Sequence, residues 1–324
     1  MRDNNKWENR RNSTKSNEKY LMVTMRGLAA ALVLIGALTT QAGSALMTDN
    51  NLSQVTPGHT LDKVKVGDIM VSYRTFGKGK PILLVHGYGG SMDIWDTTML
   101  KILAENHTVI VFNNRGVGNT TLGERQYSIP QLAEDAAGLL DTLGIPKTDV
   151  LGWSVGGMIA QELALHHPDK VDKLILYATS CGGQDSLLPE KDALAAFANR
   201  SGTPDERLAR IVPFLFTNEW ISAHPDYWTA IPRNTQISSN GTLDLELDAG
   251  LSWGGICNEL GQIKRPTLVI TGTEDLAMPP ANSLTIAERI PGAWLIQLEH
   301  GGHGMMYQYP EKIGMLILTF LDTT

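Results

Sequence analysis

Residues Asp149–Gly157 read DVLGWSVGG, and the fold turns on what that stretch is. Four residues with strand character (Asp149–Gly152) run without a break into Gly152-Trp153-Ser154-Val155-Gly156-Gly157, and a helical pattern follows over Gly156–His166. A serine between two glycines at a strand-to-helix turn matches G-x-S-x-G in the setting that gives the motif meaning. The turn must be sharp for the serine Oγ to project outward, and a side chain at Gly152 or Gly156 would crowd it. The serine also opens a helix, where free N–H groups and the helix dipole favour developing negative charge. The short motif alone is common by chance. Its placement after a buried strand is what gives it weight.

Outward from that point the chain alternates short apolar runs with helical patterns, the signature of a mostly parallel sheet covered on both faces. Pro81–Val85, Thr108–Phe112, Lys173–Ala178, Pro266–Gly272 and Trp294–Leu298 read as further buried strands. Helices are expected at Asp93–Glu105, Ile129–Leu143, Ala281–Arg289 and Pro310–Leu321. Asp68–Phe76 (DIMVSYRTF) alternates apolar and polar residues, which predicts an antiparallel edge strand. The fold class is therefore α/β, a doubly wound and mostly parallel sheet. One interval, 182–262, breaks the alternation: it carries no convincing strand and is rich in helix formers, prolines and aromatics, Trp220, Tyr227, Trp228 and Trp253 among them. It is too long to be a structureless loop in a compact domain. The expectation is a helical cap dividing the core into 60–181 and 263–324, its aromatics mostly forming its own core.

A serine hydroxyl is a weak nucleophile, so it needs a base, and the base needs an orienting acid. Two strand ends supply them in the order Ser, Asp, His. Strand Pro266–Gly272 leads into Thr273-Glu274-Asp275-Leu276, and strand Trp294–Leu298 into Glu299-His300-Gly301-Gly302-His303. Open sheets place their sites along this edge. Asp275 and His303 are the expected partners of Ser154, with Glu274 and His300 as their rivals. Strand Pro81–Val85 ends in His86-Gly87-Tyr88-Gly89-Gly90, whose backbone can turn N–H groups inward. The N–H groups of Tyr88 and Val155 are the candidate oxyanion hole. His86 is expected to hold the loop, not to act as a base.

Taken together, HGYGG at 86–90, NRGVG at 114–118, GWSVGG at 152–157, GTEDLAMP at 272–279 and GGHG at 301–304 resemble the α/β-hydrolase superfamily. The likeness runs from about residue 67 to residue 321, in the capped branch of esterases, lactonases, carbon–carbon bond hydrolases and cofactor-free haloperoxidases. It implies acyl transfer through Ser154, Asp275 and His303, with no metal and no organic cofactor. Relatives usually carry aspartate two positions before the arginine of the second motif; here that position is Asn113, which removes a local ion pair or hydrogen bond. Dehalogenases and epoxide hydrolases of this kind use an aspartate nucleophile, so Ser154 argues against both activities. An acyltransferase with the same triad, a carbon–carbon bond hydrolase or perhydrolase, and a ligand-binding protein that kept the fold are the alternatives.

Charge narrows the partners. The formal net charge is −7, and the first 45 residues hold seven Lys and Arg against three acids, leaving 20 basic and 31 acidic residues beyond them. A body that acidic repels phosphate backbones, so nucleic acid is not an expected partner and a small acyl substrate is. Within residues 1–45 a basic stretch precedes Gly27–Leu38 (GLAAALVLIGAL) and the small residues Gln41–Ala45. That pattern matches an export signal, or an uncleaved N-terminal anchor attaching the protein to a membrane, and predicts an extracytoplasmic location. The apolar centre is shorter than the ~20 residues of a typical membrane span. Two cysteines, Cys181 and Cys257, cannot build a disulfide framework or a zinc site; an exported protein could pair them, and two buried free thiols are the favoured reading of the two.

Overall fold

A computed structural model describes residues 61–229, 231, 236 and 238–323, together with the backbone of Met22–Thr24. Among the described residues nine strands form one sheet: β1 (Met22–Thr24), β2 (Asp62–Val66), β3 (Ile69–Phe76), β4 (Lys80–Val85), β5 (His107–Phe112), β6 (Thr148–Trp153), β7 (Val171–Tyr177), β8 (Thr267–Gly272) and β9 (Trp294–Leu298). Their order across the sheet is β1-β9-β8-β7-β6-β4-β5-β3-β2. Only β2 and β3 run antiparallel to their neighbours; all other pairings are parallel.

Period-two burial explains why helices cover both faces. Leu83 and Val85 of β4 pack with α2 (Ile129–Thr142) and α3 (Val155–His166) on one side. Ile82 and Leu84 point the other way, into a cluster with α1 (Thr97–Ala104) and the helix Pro310–Leu321. Each such side chain, buried at the centre of the sheet, contributes about 1.5–3 kcal/mol. The buried Arg115 ties the loop after β5 to α2 through two bonds to the Asp135 carboxylate, at 2.6 and 2.7 Å, and reaches Asp68 at 3.3 Å. The arginine of the NRGVG motif thus braces the scaffold.

Three expectations need correction. Asp68–Phe76 is antiparallel as read, but it is not at the edge: β2 pairs with it from Asp62↔Tyr73 to Val66↔Ile69. The exposed, polar-alternating DKVKV of β2 carries too little apolar pattern to announce itself. The first helix begins at Thr97 rather than Asp93, because Asp96 caps it, its Oδ1 accepting from the N–H groups of Thr98 and Met99 at 2.8 and 2.9 Å. Third, Cys181 and Cys257 are not free thiols but a disulfide, with Cα atoms 5.0 Å apart. A sequence separation of 76 hides this proximity, which backbone pairing creates. The Ile256 N–H donates to Cys181 O at 2.8 Å, and Gly182 and Gly255 sit so close that a Cβ on Gly255 would lie 2.3 Å from the Gly182 carbonyl carbon.

Between β7 and β8 the described residues hold α4 (Lys191–Ala198), α5 (Pro204–Leu215), α6 (Asn218–Ala223) and α7 (Asn240–Ser252), and no strand. Local signals start these helices. Thr203 and Glu206 form a capping box ahead of α5, with Pro204 at its first position, and Ser239 caps α7. Trp220 stacks on Phe216 with ring centroids 4.6 Å apart, while the Trp253 Nε1–H donates to Glu162 of α3 at 2.6 Å. These aromatics hold the insertion together and fasten it to the core. The basic and apolar segments 1–21 and 25–45 lie outside the described residues. Among the described residues no helix is long and apolar enough to cross a membrane.

Candidate active site

Ser154 stands between β6 and α3 with φ 58° and ψ −122°, a conformation L-residues rarely adopt. Such a backbone costs on the order of 1–3 kcal/mol and persists only where its surroundings impose it. Here they do. The Ser154 N–H donates to Tyr177 O at 2.9 Å, while Ser154 O accepts from Thr179 Oγ1 at 2.6 Å and the Gly157 N–H at 2.9 Å. The flanking glycines are a steric requirement: a Cβ on Gly152 would meet Gly156 O at 2.3 Å, and one on Gly156 would meet Val85 O at 2.0 Å.

His303 follows β9, and Asp275 follows β8. The Asp275 Oδ1 accepts from the N–H groups of Ala277 and Met278 at 3.0 and 2.7 Å, and its Oδ2 lies 2.9 Å from His303 Nδ1. A carboxylate only accepts, so Nδ1 is the donor of this bond, and in the neutral ring the lone pair is on Nε2. Both side chains are buried. The two loops are locked by a close approach in which a Cβ on Gly272 would lie 2.1 Å from Gly301 O. Trp153 adds a wall: its ring lies 5.4 Å from the His303 ring, and its Nε1–H donates to His303 O at 3.2 Å.

Ser154, His303, Tyr88 and Val155 all line one cavity of about 1000 Å³ between the sheet and the cap. Met158, Leu208, Ile211, Leu243 and Leu247 make its walls largely apolar. Val155 is the first residue of α3, so its N–H has no acceptor within the helix. Gly87 brings the 86–90 loop against the serine, since a Cβ there would sit 2.9 Å from Ser154 Cβ.

The rivals are placed elsewhere. Glu274 and His300 pair with each other at 2.8 Å, both half-exposed, and the hydrogen bond that His300 donates to Glu274 raises the imidazole above its ordinary range. His86 is fully buried. Its Nδ1 donates to Gly87 O at 2.9 Å and its Nε2 accepts the Asn114 N–H at 3.3 Å, so it braces the loop as a neutral ring. Burial pushes its pKa down to about 4, against the smaller upward pull of the Gly87 bond. Asn113 needs no ion pair: Nδ2 donates to Gln236 Oε1 at 2.6 Å and to Ser72 Oγ at 3.0 Å, and Oδ1 accepts the Met92 N–H at 2.7 Å. Among the described residues no group of three His, Cys, Asp or Glu side chains is placed to hold a metal ion.

Two contributors escape sequence reading. Trp153 occupies the free position of the motif, where its bulk is the only signal. Glu246 reaches the cavity from α7 and was legible only as one acid on a polar helix.

The strand order, the serine turn and the histidine–aspartate pair describe a serine-hydrolase-like α/β scaffold. Residues 80–310 match the family model described as alpha/beta hydrolase fold, and the chain belongs to that family. It is 30% identical over 247 residues to a poly(3-hydroxyalkanoate) depolymerase of Ectopseudomonas oleovorans, covering 75% of this chain and 84% of that protein. It is 29% identical over 266 residues to the pimeloyl-[acyl-carrier protein] methyl ester esterase of Aeromonas hydrophila, covering 78% and 99%. Among solved structures, the enol-lactonase of Burkholderia xenovorans LB400 superposes with a TM-score of 0.72 at 25% identity, over 81% of this chain and all of that one. The protein is an esterase-like α/β-hydrolase enzyme.

Proposed function

We propose that this enzyme cleaves a small ester, lactone or related acyl substrate through an acyl-enzyme on Ser154. The observation that carries the reading is the strained Ser154 turn opening into the same cavity as His303, whose ring is oriented by Asp275. His303 Nε2 takes the Ser154 proton as Oγ attacks the carbonyl. The N–H groups of Tyr88 and Val155 receive the oxyanion, and Asp275 supports the imidazolium. His303 then protonates the leaving group, and water, deprotonated by the same nitrogen, releases the acid. The names of the relatives, which include an esterase and an enol-lactonase, support ester-type substrates, and the apolar walls suit a partly apolar acyl or leaving group.

The test is a panel of p-nitrophenyl esters, lactones and aminoacyl substrates compared by kcat/KM, with Ser154→Ala as the blank. Turnover of esters or lactones that disappears in the blank is expected. Turnover that persists in Ser154→Ala refutes the mechanism, and products formed only with an added alcohol or amine acceptor transfer the reading to an acyltransferase.

An extracytoplasmic location is part of the same proposal. It is supported by the Gly27–Leu38 pattern and by the Cys181–Cys257 bridge, a type of bond that persists in oxidising compartments. Mass spectrometry of protein made in a secreting bacterial host checks it: a start near Leu46 is expected where the signal is cleaved, and a wholly cytosolic chain retaining residues 27–45 refutes it.

A further inference from the structure

The oxyanion loop is not held by the core alone. His86 braces its start, but its outward side is held by the cap insertion. The Tyr88 hydroxyl donates to Phe197 O at 2.8 Å, at the end of α4, and the Tyr88 and Phe197 rings meet edge to face at 6.1 Å. The Arg200 guanidinium lies over the Tyr88 ring, 5.7 Å from its centroid. From α7, the buried Glu246 accepts the Gly89 N–H on Oε2 at 3.1 Å. Gly89 itself has φ 67°, so the loop takes a left-handed step immediately after the residue whose N–H matters. A loop with a left-handed glycine at its turn is soft unless something fixes it, and the Gly89 bond fixes it one residue from Tyr88.

We infer that Glu246 is a positioning residue for the reaction: by accepting the Gly89 N–H from the cap, it holds the loop so that the Tyr88 N–H points at the developing oxyanion, and so couples cap seating to turnover. The inference rests on the proposed acyl transfer at Ser154. It asks more of Glu246 than of Phe197 and Leu243, which also meet this loop, because Glu246 alone of these side chains accepts a backbone N–H from it. A carboxyl buried on the wall of a largely apolar cavity is costly, and filling space alone would be met by an apolar side chain of similar bulk.

The groups facing Glu246 define what its charge would do. Arg200 approaches from beyond α4, Tyr88 and Gly89 from the oxyanion loop, and Tyr127 from the segment before α2. Burial raises the Glu246 carboxyl to about 8, outweighing the Gly89 bond and the Arg200 charge that both lower it. Below that pH the group is neutral and still accepts through its carbonyl oxygen. Above it a carboxylate stands beside the loop that must receive an oxyanion, and like charges oppose each other. Wild-type turnover should therefore fall as pH rises through about 8.

The experiment compares wild type, Glu246→Ala and Glu246→Gln in the full-length protein. A fluorophosphonate probe titrates Ser154, and kcat and KM are measured from pH 6 to 9.5 on the best p-nitrophenyl ester. Losing one oxyanion donor outright costs about 10²–10³ in kcat, so letting it drift should cost Glu246→Ala at least about tenfold, with KM within about threefold. Glutamine keeps an acceptor and cannot ionise, so Glu246→Gln should recover to within about threefold of wild type at pH 6.5 and lack the fall in kcat above pH 8. The inference is overturned if Ser154 labels normally and Glu246→Ala keeps wild-type kcat. It is equally overturned if Glu246→Gln is as slow as the alanine variant at pH 6.5, or retains the alkaline fall. Failure of the wild type to label at Ser154 would instead remove the acyl-transfer reading beneath it. Should Glu246→Ala not fold, the isosteric Gln pH profile decides alone.

Discussion

Replacing Asp275 by asparagine isolates orientation from charge, and the structure says which way the amide will sit. The native carboxylate serves three donors: the N–H groups of Ala277 and Met278 on Oδ1 and His303 Nδ1 on Oδ2. If the asparagine NH₂ faced the two backbone donors, both buried N–H groups would lose their acceptor at about 1–3 kcal/mol each. The amide oxygen therefore stays with the backbone, and the NH₂ faces the ring. Two donors cannot share that contact, so the imidazole shifts its proton to Nε2, the nitrogen that must accept from Ser154. A wrong tautomer of this kind lowers kcat about 10⁴-fold in a serine protease triad, equivalent to about 5.4 kcal/mol, and the same loss is expected here. Because the backbone bonds survive, the Tm should move little. Asp275→Ala removes them too, and should both inactivate and destabilise, by about 2–6 kcal/mol in all. The assay is kcat on a p-nitrophenyl ester beside thermal unfolding followed by circular dichroism. Asp275→Asn retaining more than a tenth of wild-type kcat would refute the reasoning, since Asp275 would not then be controlling the tautomer.

Gly156→Ala should be destabilised by about 3 kcal/mol or more, read as a lost or lowered unfolding transition, because its Cβ would lie 2.0 Å from the Val85 carbonyl oxygen with only backbone to give way. The controls Glu274→Gln and His300→Gln should keep kcat within about tenfold, below ~1.4 kcal/mol, as the pair sits half-exposed away from the cavity. If His300→Gln is inactive while His303→Ala turns over ester, the base is misassigned. Replacing both Cys181 and Cys257 by alanine opens a loop with a sequence separation of 76 and should cost about 4.5 kcal/mol on the chain-entropy model, seen as a lower denaturant midpoint; an unchanged midpoint would contradict it.

What the chain discloses as sequence follows the range of the interaction involved. The G-x-S-x-G turn is legible because its pattern is local: Gly152, Ser154 and Gly156 lie within five residues, and Gly152 is crowded by the turn itself, although Gly156 is crowded by Val85 of β4. The buried strands are legible for a similar reason, since parallel strands covered on both faces need unbroken apolar runs. Strand β9 was read to the residue, and β4–β8 within about two. Asp275 and His303 stand out as candidates because each follows such a run. Legibility fails where the partner lies far along the chain. The Cys181–Cys257 bridge depends on two cap ends meeting, and nothing in either local sequence states that distance. Glu246 is the same problem at the site. Its burial and its bond to Gly89 cross a separation of 157 residues, and helix α7 offers Asp244 and Asp248 as equally acidic neighbours. Only docking of the cap separates them, leaving Asp244 exposed beside Arg200 and turning Glu246 inward to the loop. The chemistry of this enzyme is thus written in short motifs on the core. The carboxyl proposed to adjust it stands on the insertion, and it meets the 86–90 loop only where cap and core pack together.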